Sequence, residues 1–193
     1  MNRCVFTGHY LSYCLVRIVG HKNIYNKEDY MKNEISLKDT SDKTQTQKAL
    51  LNHTYTFNNF VVGNTNNIAF ESAKSVCNNP GVLYNPLIIQ GGIGIGKTHL
   101  LHAIGNIMQA QGKKVIYTSV EDFLSDFTKH LSNRTLDRFK SKYKQCDVFL
   151  LEDIQFLSNK YQTQEEIFNI IETLRAENKQ IVITSDTTPK LIV

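Results

Sequence analysis

The residues with the clearest chemical capability form a glycine-rich loop, Gly91-Gly92-Ile93-Gly94-Ile95-Gly96-Lys97-Thr98. Every position satisfies the pattern G-x-x-x-x-G-K-[ST], and the loop lies between a predicted strand and a predicted helix. Glycines permit a tight loop whose backbone N–H groups point at phosphate oxygens, next to the positive end of the following helix. The lysine would reach the β and γ phosphates, and the threonine hydroxyl would coordinate Mg²⁺. The loop therefore predicts a nucleotide-phosphate site rather than a turn that binds nothing.

A second candidate element is an apolar run that ends in two acids, Val148-Phe149-Leu150-Leu151-Glu152-Asp153, a Walker B pattern. Beside a phosphate loop, one acid would hold the Mg²⁺ shell and the next would orient or polarise the attacking water. By position, we assign the metal-side role to Glu152 and the water-side role to Asp153. The same pattern also fits a strand that ends in solvated acids, and the phosphate loop is what favours catalysis.

A third polar element, Thr184-Ser185-Asp186, closes the last predicted strand. A side chain here could lie between the γ-phosphate and the two acids, and Asp186 is the candidate for that sensor position. A strand-to-loop turn explains these residues about as well.

These groups need a scaffold, and from Tyr55 onward short apolar runs alternate with longer amphipathic stretches. That alternation predicts βαβ units and a parallel sheet, which is an α/β fold. Four parallel strands would leave an exposed sheet edge, which predicts poor solubility. Strands are predicted at 86–90, 115–117, 147–151 and 181–184, and helices at 98–111, 121–131, 135–144 and 163–177.

Length and composition limit the class of protein. The chain has 193 residues, 41% of them hydrophobic and 21% charged, with a formal net charge of +4. These values fit one globular domain plus an appendage, and no apolar run approaches the roughly 20 residues of a membrane span. The four cysteines have no metal-ligand spacing, which predicts reduced thiols and a cytoplasmic location.

Composition also divides the chain into segments. Residues 26–53 are dominated by Lys, Asn, Asp, Thr, Ser and Gln without periodicity, which is typical of a linker. Residues 1–25 are too few for a core of their own and could be the remnant of a larger domain. We therefore expect the globular core over 54–193.

A basic segment lies between the second and third predicted strands. Only Asp137 opposes its positive side chains, and such a cluster attracts a phosphate backbone without reading bases. A solvated helix face explains the cluster equally well. Phe139 and Tyr143 could stack on bases, but aromatics at helical spacing more often face the core. The basic residues are Arg134, Arg138, Lys140, Lys142 and Lys144.

Several strings are more specific than these general patterns. Over about residues 50–193 they resemble the DnaA family of bacterial chromosomal replication initiators. The resemblance implies a three-layer α/β/α AAA+ ATPase core whose ATP-bound form assembles on the replication origin and opens it. The strings are Thr56-Phe57-Asn58-Asn59-Phe60-Val61-Val62-Gly63-Asn64, Tyr84-Asn85-Pro86-Leu87, 96–106, 152–157 and Thr163-Gln164-Glu165-Glu166.

The resemblance assigns roles to residues. A segment over 60–67 would cover the adenine, and Mg²⁺ would lie at Thr98 and Glu152. His99 and His102 are better interpreted as packing residues than as metal ligands. The implied nucleotide contacts are Val62, Gly63, Asn64, Gly91, Gly92, Ile93, Gly94, Ile95, Gly96, Lys97, Thr98 and His99, and the implied catalytic residues are Lys97, Glu152, Asp153 and Asp186.

The resemblance also implies partners. In this family an extra helix pair lines a channel for single-stranded DNA, and the segment 121–144 lies at the corresponding place. Origin DNA and self-association through the nucleotide are the implied partners, with the replicative helicase and acidic phospholipids as further ones.

The chain departs from the family pattern in several places. Glu152 stands where the family has Asp, so a longer arm moves the carboxylate, and Thr187 stands where the family usually has Arg. We expect the chain to end before the family's arginine finger, lid and duplex-binding domain. Weak or absent hydrolysis follows, because an arginine finger is worth about 10³–10⁵ in rate. The alternatives are a non-hydrolysing remnant or regulatory AAA+ module and a related helicase loader.

Overall fold

The computed structural model describes residues 14–17, 51–157 and 160–187. Over these residues the strands form one five-stranded sheet in the order β1-β2-β5-β4-β3. Every neighbouring pair in this sheet is parallel. The strands are β1 (Cys14–Arg17), β2 (Leu87–Gln90), β3 (Val115–Ser119), β4 (Val148–Glu152) and β5 (Gln180–Ser185).

Five α-helices connect and cover the strands within the described residues. Two short 3-10 helices, Phe57–Asn59 and Ile154–Leu157, precede α1 and α5 respectively. The α-helices are α1 (Asn67–Asn78), α2 (Lys97–Ala110), α3 (Val120–Ser132), α4 (Leu136–Lys144) and α5 (Tyr161–Ala176).

The central strands are apolar because both faces of the sheet are covered. All residues of β2, β4 and β5 are buried, as expected for strands between two helical layers. Alternate side chains along β4 enter different cores. Val148 and Leu150 pack with residues of α1 and α2, whereas Phe149 and Leu151 pack with residues of α3, α4 and α5. This is the three-layer α/β/α arrangement.

The turn from β3 into α3 shows how local chemistry sets the boundary of an element. Ser119 ends β3, and its hydroxyl accepts a 3.0 Å hydrogen bond from the Asp122 N–H. This is the N-cap arrangement that satisfies a free donor of the first helical turn. Phe123 and Phe127 on α3 then point into the core formed with α4 and α5.

The predicted strands and helices are confirmed, with ends that differ by one to a few residues. The expectation of a four-stranded sheet is wrong, because β1 lies beside β2 as a fifth strand. The strand β1 has only four residues and is separated from β2 by a long polar stretch. So short a run shows no periodicity from which a strand could be predicted. Val16 of β1 is buried against the α1–α2 core. The predicted linker lies outside the described residues except at 51–53, where Leu51 is buried.

Other expectations concern membranes and thiols. In the portion of the chain that the structure describes, no helix is both long and apolar enough to cross a bilayer. Cys77 and Cys146 are free thiols in the core. Burial raises the pKa of each to about 12, so neither thiol is reactive at neutral pH.

Candidate functional site

The phosphate loop lies between β2 and α2, and two of its glycines have left-handed backbone. The φ angles are 80° at Gly94 and 97° at Gly96, a region that other residues enter only with strain. A Cβ at Gly96 would also lie 2.7 Å from Cε2 of Phe60, so space as well as conformation requires glycine there. The Gly91 N–H donates to the Ser185 carbonyl at 3.1 Å, which ties the start of the loop to the end of β5.

The other loop residues differ in exposure. Ile93 at the tip is 89% exposed, whereas Ile95 is partly buried against the α1–α2 core. A Cβ at Gly92 would meet nothing within 4 Å, so the space on that side of its Cα is open.

Lys97 joins the phosphate loop to the sensor candidate. Its ammonium donates to the Gly92 carbonyl at 2.8 Å and pairs with Asp186 Oδ1 at 2.5 Å. Lys97 is buried and the Asp186 side chain is 30% exposed. The ammonium therefore lies inside the loop, where phosphate oxygens would reach it. Thr187, which follows the sensor candidate, is exposed.

Glu152 makes hydrogen bonds through both carboxylate oxygens. Oε1 accepts from the Thr98 hydroxyl, and Oε2 accepts from the Tyr117 hydroxyl. The two residues predicted to hold the metal are therefore in contact, although one follows β2 and the other ends β4. Burial, reinforced by the bond to Glu152, raises the pKa of the Tyr117 hydroxyl above its usual range, so Tyr117 is a donor here.

The donor set at this contact fits Mg²⁺. A hydroxyl and a carboxylate oxygen are hard ligands, and Mg²⁺ sites use one or two carboxylates together with nucleotide phosphates. Within the described residues no group of three or more His, Cys, Asp or Glu side chains could hold a metal alone. Thr98 and Glu152 would thus supply only part of a coordination shell, and a nucleotide and water would complete it.

Asp153 lies in a network that reaches the sensor. Its φ is 61°, and its N–H donates to Thr184 Oγ1 at 3.0 Å. Gln155 donates from Nε2 to Asp153 Oδ1 at 3.1 Å and accepts from the Asp186 N–H at 3.2 Å. Burial, together with nearby Glu152 and Asp186, raises the pKa of the Asp153 carboxyl. The water-side candidate is therefore held in place relative to both strand ends.

The segment predicted to cover the adenine is a turn that ends at α1. The Gly63 N–H donates to Asn66 Oδ1 at 2.7 Å, and Asn66 Nδ2 donates to the Val61 carbonyl at 2.9 Å. Val62, Gly63 and Asn64 are exposed. Phe60 anchors the turn beside the phosphate loop, since its ring lies 5.1 Å from that of His99.

The two histidines of α2 make packing contacts, as the sequence indicates. His99 Nε2 lies 2.8 Å from the Thr56 carbonyl oxygen. His102 Nδ1 accepts the Asn52 N–H at 3.1 Å, and its ring lies 4.5 Å from that of Tyr117. Burial lowers the pKa of His102, which keeps the ring neutral.

The basic segment lies on α4 and on the turn between α3 and α4. Phe139 and Tyr143 are fully buried, which confirms that these aromatics face the core. Two of the five predicted phosphate contacts are used in ion pairs, Lys142 with Asp126 at 2.7 Å and Lys140 with Glu166 at 3.2 Å. Over the part of the chain that the structure describes, the remaining three are exposed and form no ion pair. These are Arg134, Arg138 and Lys144.

Sequence reasoning missed Tyr117 and Gln155. Tyr117 pairs with Leu150 in the β3–β4 register, and Ser119 pairs with Glu152. Because side chains alternate along strands, Tyr117 and Glu152 share a face of the sheet. A search for polar side chains on the predicted neighbouring strand would have found Tyr117. Gln155 follows Asp153 by two residues, so a search for polar side chains next to the two acids would have found it.

Comparison with known proteins adds the family context. Residues 51–193 match the family model of the bacterial DnaA ATPase domain. The chromosomal replication initiator protein DnaA of Sulfurimonas denitrificans is 52% identical over 164 residues, 84% of this chain and 38% of that protein. The chain thus spans well under half of this curated relative.

Solved structures agree with this context. A replication initiator DnaA bound to AMPPCP and single-stranded DNA is 47% identical, with a TM-score of 0.71 over 73% of this chain and 44% of that one. Domain III of the Thermotoga maritima replication initiation protein DnaA is 45% identical, with a TM-score of 0.71 over 74% of this chain and 60% of that one. The α/β core described above has the same AAA+ fold.

Proposed function

The chain belongs to the bacterial DnaA ATPase family, and we propose that its described core is the ATP-binding part of a chromosomal replication initiator. One observation carries the proposal. Thr98 of the phosphate loop and Glu152 of the acidic strand end make a direct hydrogen bond, so the two halves of a nucleotide–metal site are assembled. If the loop were a turn that binds nothing and the acid were solvated, no direct contact between them would be expected.

In this proposal the chain's own residues bind the triphosphate and place a water. The N–H groups of the loop and the Lys97 ammonium bind the phosphates, aided by the positive end of α2. Thr98 and Glu152 would hold Mg²⁺, which when bound would supply positive charge to offset the β and γ phosphates. Asp153, held by Gln155, orients the attacking water, and Asp186 is near enough to Lys97 to respond to the γ-phosphate. The turn over 60–67 covers the adenine.

We further propose that the basic segment contacts single-stranded DNA. The solved DnaA structure with single-stranded DNA supports this for a relative. Arg134, Arg138 and Lys144 are exposed and form no ion pair with any residue that the structure describes, which suits a sequence-independent phosphate backbone. Lys140 and Lys142 contribute less, because each already neutralises a carboxylate.

The wider role is likewise proposed. In the cytoplasm, the ATP-bound protein would associate with further copies on origin DNA and promote opening of the duplex. The replicative helicase and acidic phospholipids are further proposed partners, on the family resemblance alone. A second candidate function is a nucleotide-binding module without turnover, which Glu152 in place of Asp favours because its longer arm changes where the carboxylate lies.

The test is a titration of the chain with a fluorescent ATP analogue, with and without Mg²⁺. Lys97→Ala removes a charged donor, and hydrogen bonds of charged groups contribute about 1.5–3 kcal/mol, so the affinity falls by about tenfold or more. The matched control is Lys179→Ala, which also breaks a Lys–Asp pair, with Asp147 at 3.1 Å, at the other end of β4. Equal affinities for the wild type and Lys97→Ala would refute the proposal. Measured ATP turnover separates the initiator ATPase from the module without turnover.

A further inference from the structure

Tyr117 contacts the metal-side acid and has no role in the function proposed above. It lies on β3, two residues before Ser119, the residue that pairs with Glu152 in the register. Its hydroxyl donates to Oε2 of Glu152, while the Thr98 hydroxyl donates to Oε1. Each oxygen of this carboxylate therefore has its own donor, from a different element of the fold.

The ring of Tyr117 is itself held by packing. Its centroid lies 4.5 Å from that of His102 on α2. His102 is fixed in turn by the 3.1 Å hydrogen bond from the Asn52 N–H and by the Tyr55 ring at 5.6 Å. The hydroxyl thus projects from a supported ring and is not a mobile surface group.

A glutamate needs such support more than an aspartate does. Its side chain has one more rotatable bond, so an unrestrained Glu152 carboxylate would occupy several positions relative to Thr98. Hydrogen bonds from outside the coordination shell orient metal-ligating carboxylates, and their loss weakens metal binding.

We propose that Tyr117 is a positioning residue that fixes the Glu152 carboxylate for Mg²⁺-dependent nucleotide binding. The Tyr117 hydroxyl donates to Oε2 of Glu152, and Oε1 therefore lies beside the Thr98 hydroxyl. The two oxygens that are proposed to bind the metal are thus held next to each other. The inference rests on the proposed ATP–Mg²⁺ site and deepens it. The chain thereby accommodates glutamate at this position through a partner on the neighbouring strand.

The experiment measures how Mg²⁺ concentration controls binding of a fluorescent ATP analogue to the full 193-residue chain. The variants are Tyr117→Phe, Glu152→Asp and the double variant. Tyr117→Phe keeps the ring packing and removes only the hydroxyl. The matched control is Tyr143→Phe, which removes a tyrosine hydroxyl that donates to the Asp126 carboxylate at 3.1 Å, away from the nucleotide site.

Tyr117→Phe should raise the Mg²⁺ concentration needed for half-maximal binding by about tenfold, without changing the affinity measured in the absence of Mg²⁺. In the Glu152→Asp background the shorter arm has lost its tyrosine partner, so removing the hydroxyl should change the Mg²⁺ midpoint by less than about twofold. Tyr143→Phe should leave the midpoint unchanged. A structural role for Tyr117 would lower stability and Mg²⁺-free affinity without this coupling.

Three outcomes of the titration overturn the inference. An unchanged Mg²⁺ midpoint for Tyr117→Phe, or an equal penalty in both backgrounds, refutes it while the proposed function stands. If the affinity of the wild type for the ATP analogue does not depend on Mg²⁺, both the proposed metal site and this inference are refuted. If Tyr117→Phe does not fold, ¹⁹F NMR of the protein with 3-fluorotyrosine at position 117 takes the place of the titration of that variant. The signal should move on Glu152→Asp, and a fixed signal contradicts the contact.

Discussion

Three glycines of the phosphate loop allow backbone strain and steric conflict to be measured separately. Alanine at Gly92 adds neither, because φ there is not positive and a Cβ would meet nothing within 4 Å. Alanine at Gly94 adds strain alone, because φ is 80° and the surrounding space is open. Alanine at Gly96 adds both, because φ is 97° and the Cβ would lie 2.7 Å from the Phe60 ring.

The magnitudes follow from these differences. A non-glycine residue in the left-handed region costs about 1–2 kcal/mol, and forcing a methyl group into packed surroundings costs about 1–3 kcal/mol more. Phe60 cannot move freely, because its ring lies 5.8 Å from that of Phe70 and 5.1 Å from that of His99. The free energy of unfolding should therefore fall by less than about 0.5 kcal/mol for Gly92→Ala, about 1–2 for Gly94→Ala and about 2–5 for Gly96→Ala.

The assay is urea unfolding of the three variants without nucleotide, followed by titration with a fluorescent ATP analogue. Displacing Phe60 moves the turn that would cover the adenine, so Gly96→Ala should lose more affinity than Gly94→Ala. Equal unfolding free energies for Gly94→Ala and Gly96→Ala would refute the argument from Phe60. Equal values for Gly92→Ala and Gly94→Ala would refute the argument from the left-handed backbone.

Two further predictions concern the basic segment and acid stability. Replacing Arg138 and Lys144 together by alanine should weaken single-stranded DNA binding and reduce the slope of log affinity against log salt by about 1.4. Lys142→Ala, which breaks the 2.7 Å ion pair with Asp126, should change that slope less. An equal change would contradict the distinction between cations that are in ion pairs and cations that are available to bind phosphate. The Lys114 N–H and the Lys179 side chain lower the pKa of the Asp147 carboxyl below its usual range. The ionised group therefore stabilises the fold above the usual pKa, and this stabilisation is lost as the pH falls through the lowered pKa. Asp147→Asn should therefore reduce the urea midpoint at pH 7 and have a vanishing effect in strong acid, and a pH-independent difference would count against ion pairing.

Much of the fold follows from short-range pattern. The runs around Ile88, Leu150 and Val182 are apolar because helices cover both faces of the sheet, so each strand is visible in the sequence. The loop and the two acids were predicted from spacing, and the parallel sheet brings them together at the carboxyl ends of the strands. The resemblance to the DnaA family, which rests on several specific strings, is confirmed by the family match.

What could not be predicted depends on contacts between distant residues or on weak periodicity. The strand β1 is four residues long and pairs with a strand that lies far along the chain. The helix α1 buries mainly small side chains such as Ala69, Ser72 and Ala73, so its apolar face gives little contrast. Tyr117 lies on a predicted strand, but its contact with Glu152 also depends on the order and register of the strands, which the sequence pattern does not specify.

The charges at the strand ends explain why a metal should control this site. Glu152 ends β4, Asp153 follows it and Asp186 follows β5. Lys97 is already paired with Asp186. A nucleotide triphosphate would bring further negative charge against these carboxylates, and like charges at short range in a partly buried site repel strongly. The loop N–H groups supply only partial charges. On the proposed function, a divalent cation held by Thr98 and Glu152 would offset that repulsion, so the acids that oppose free ATP would favour Mg²⁺–ATP as the ligand.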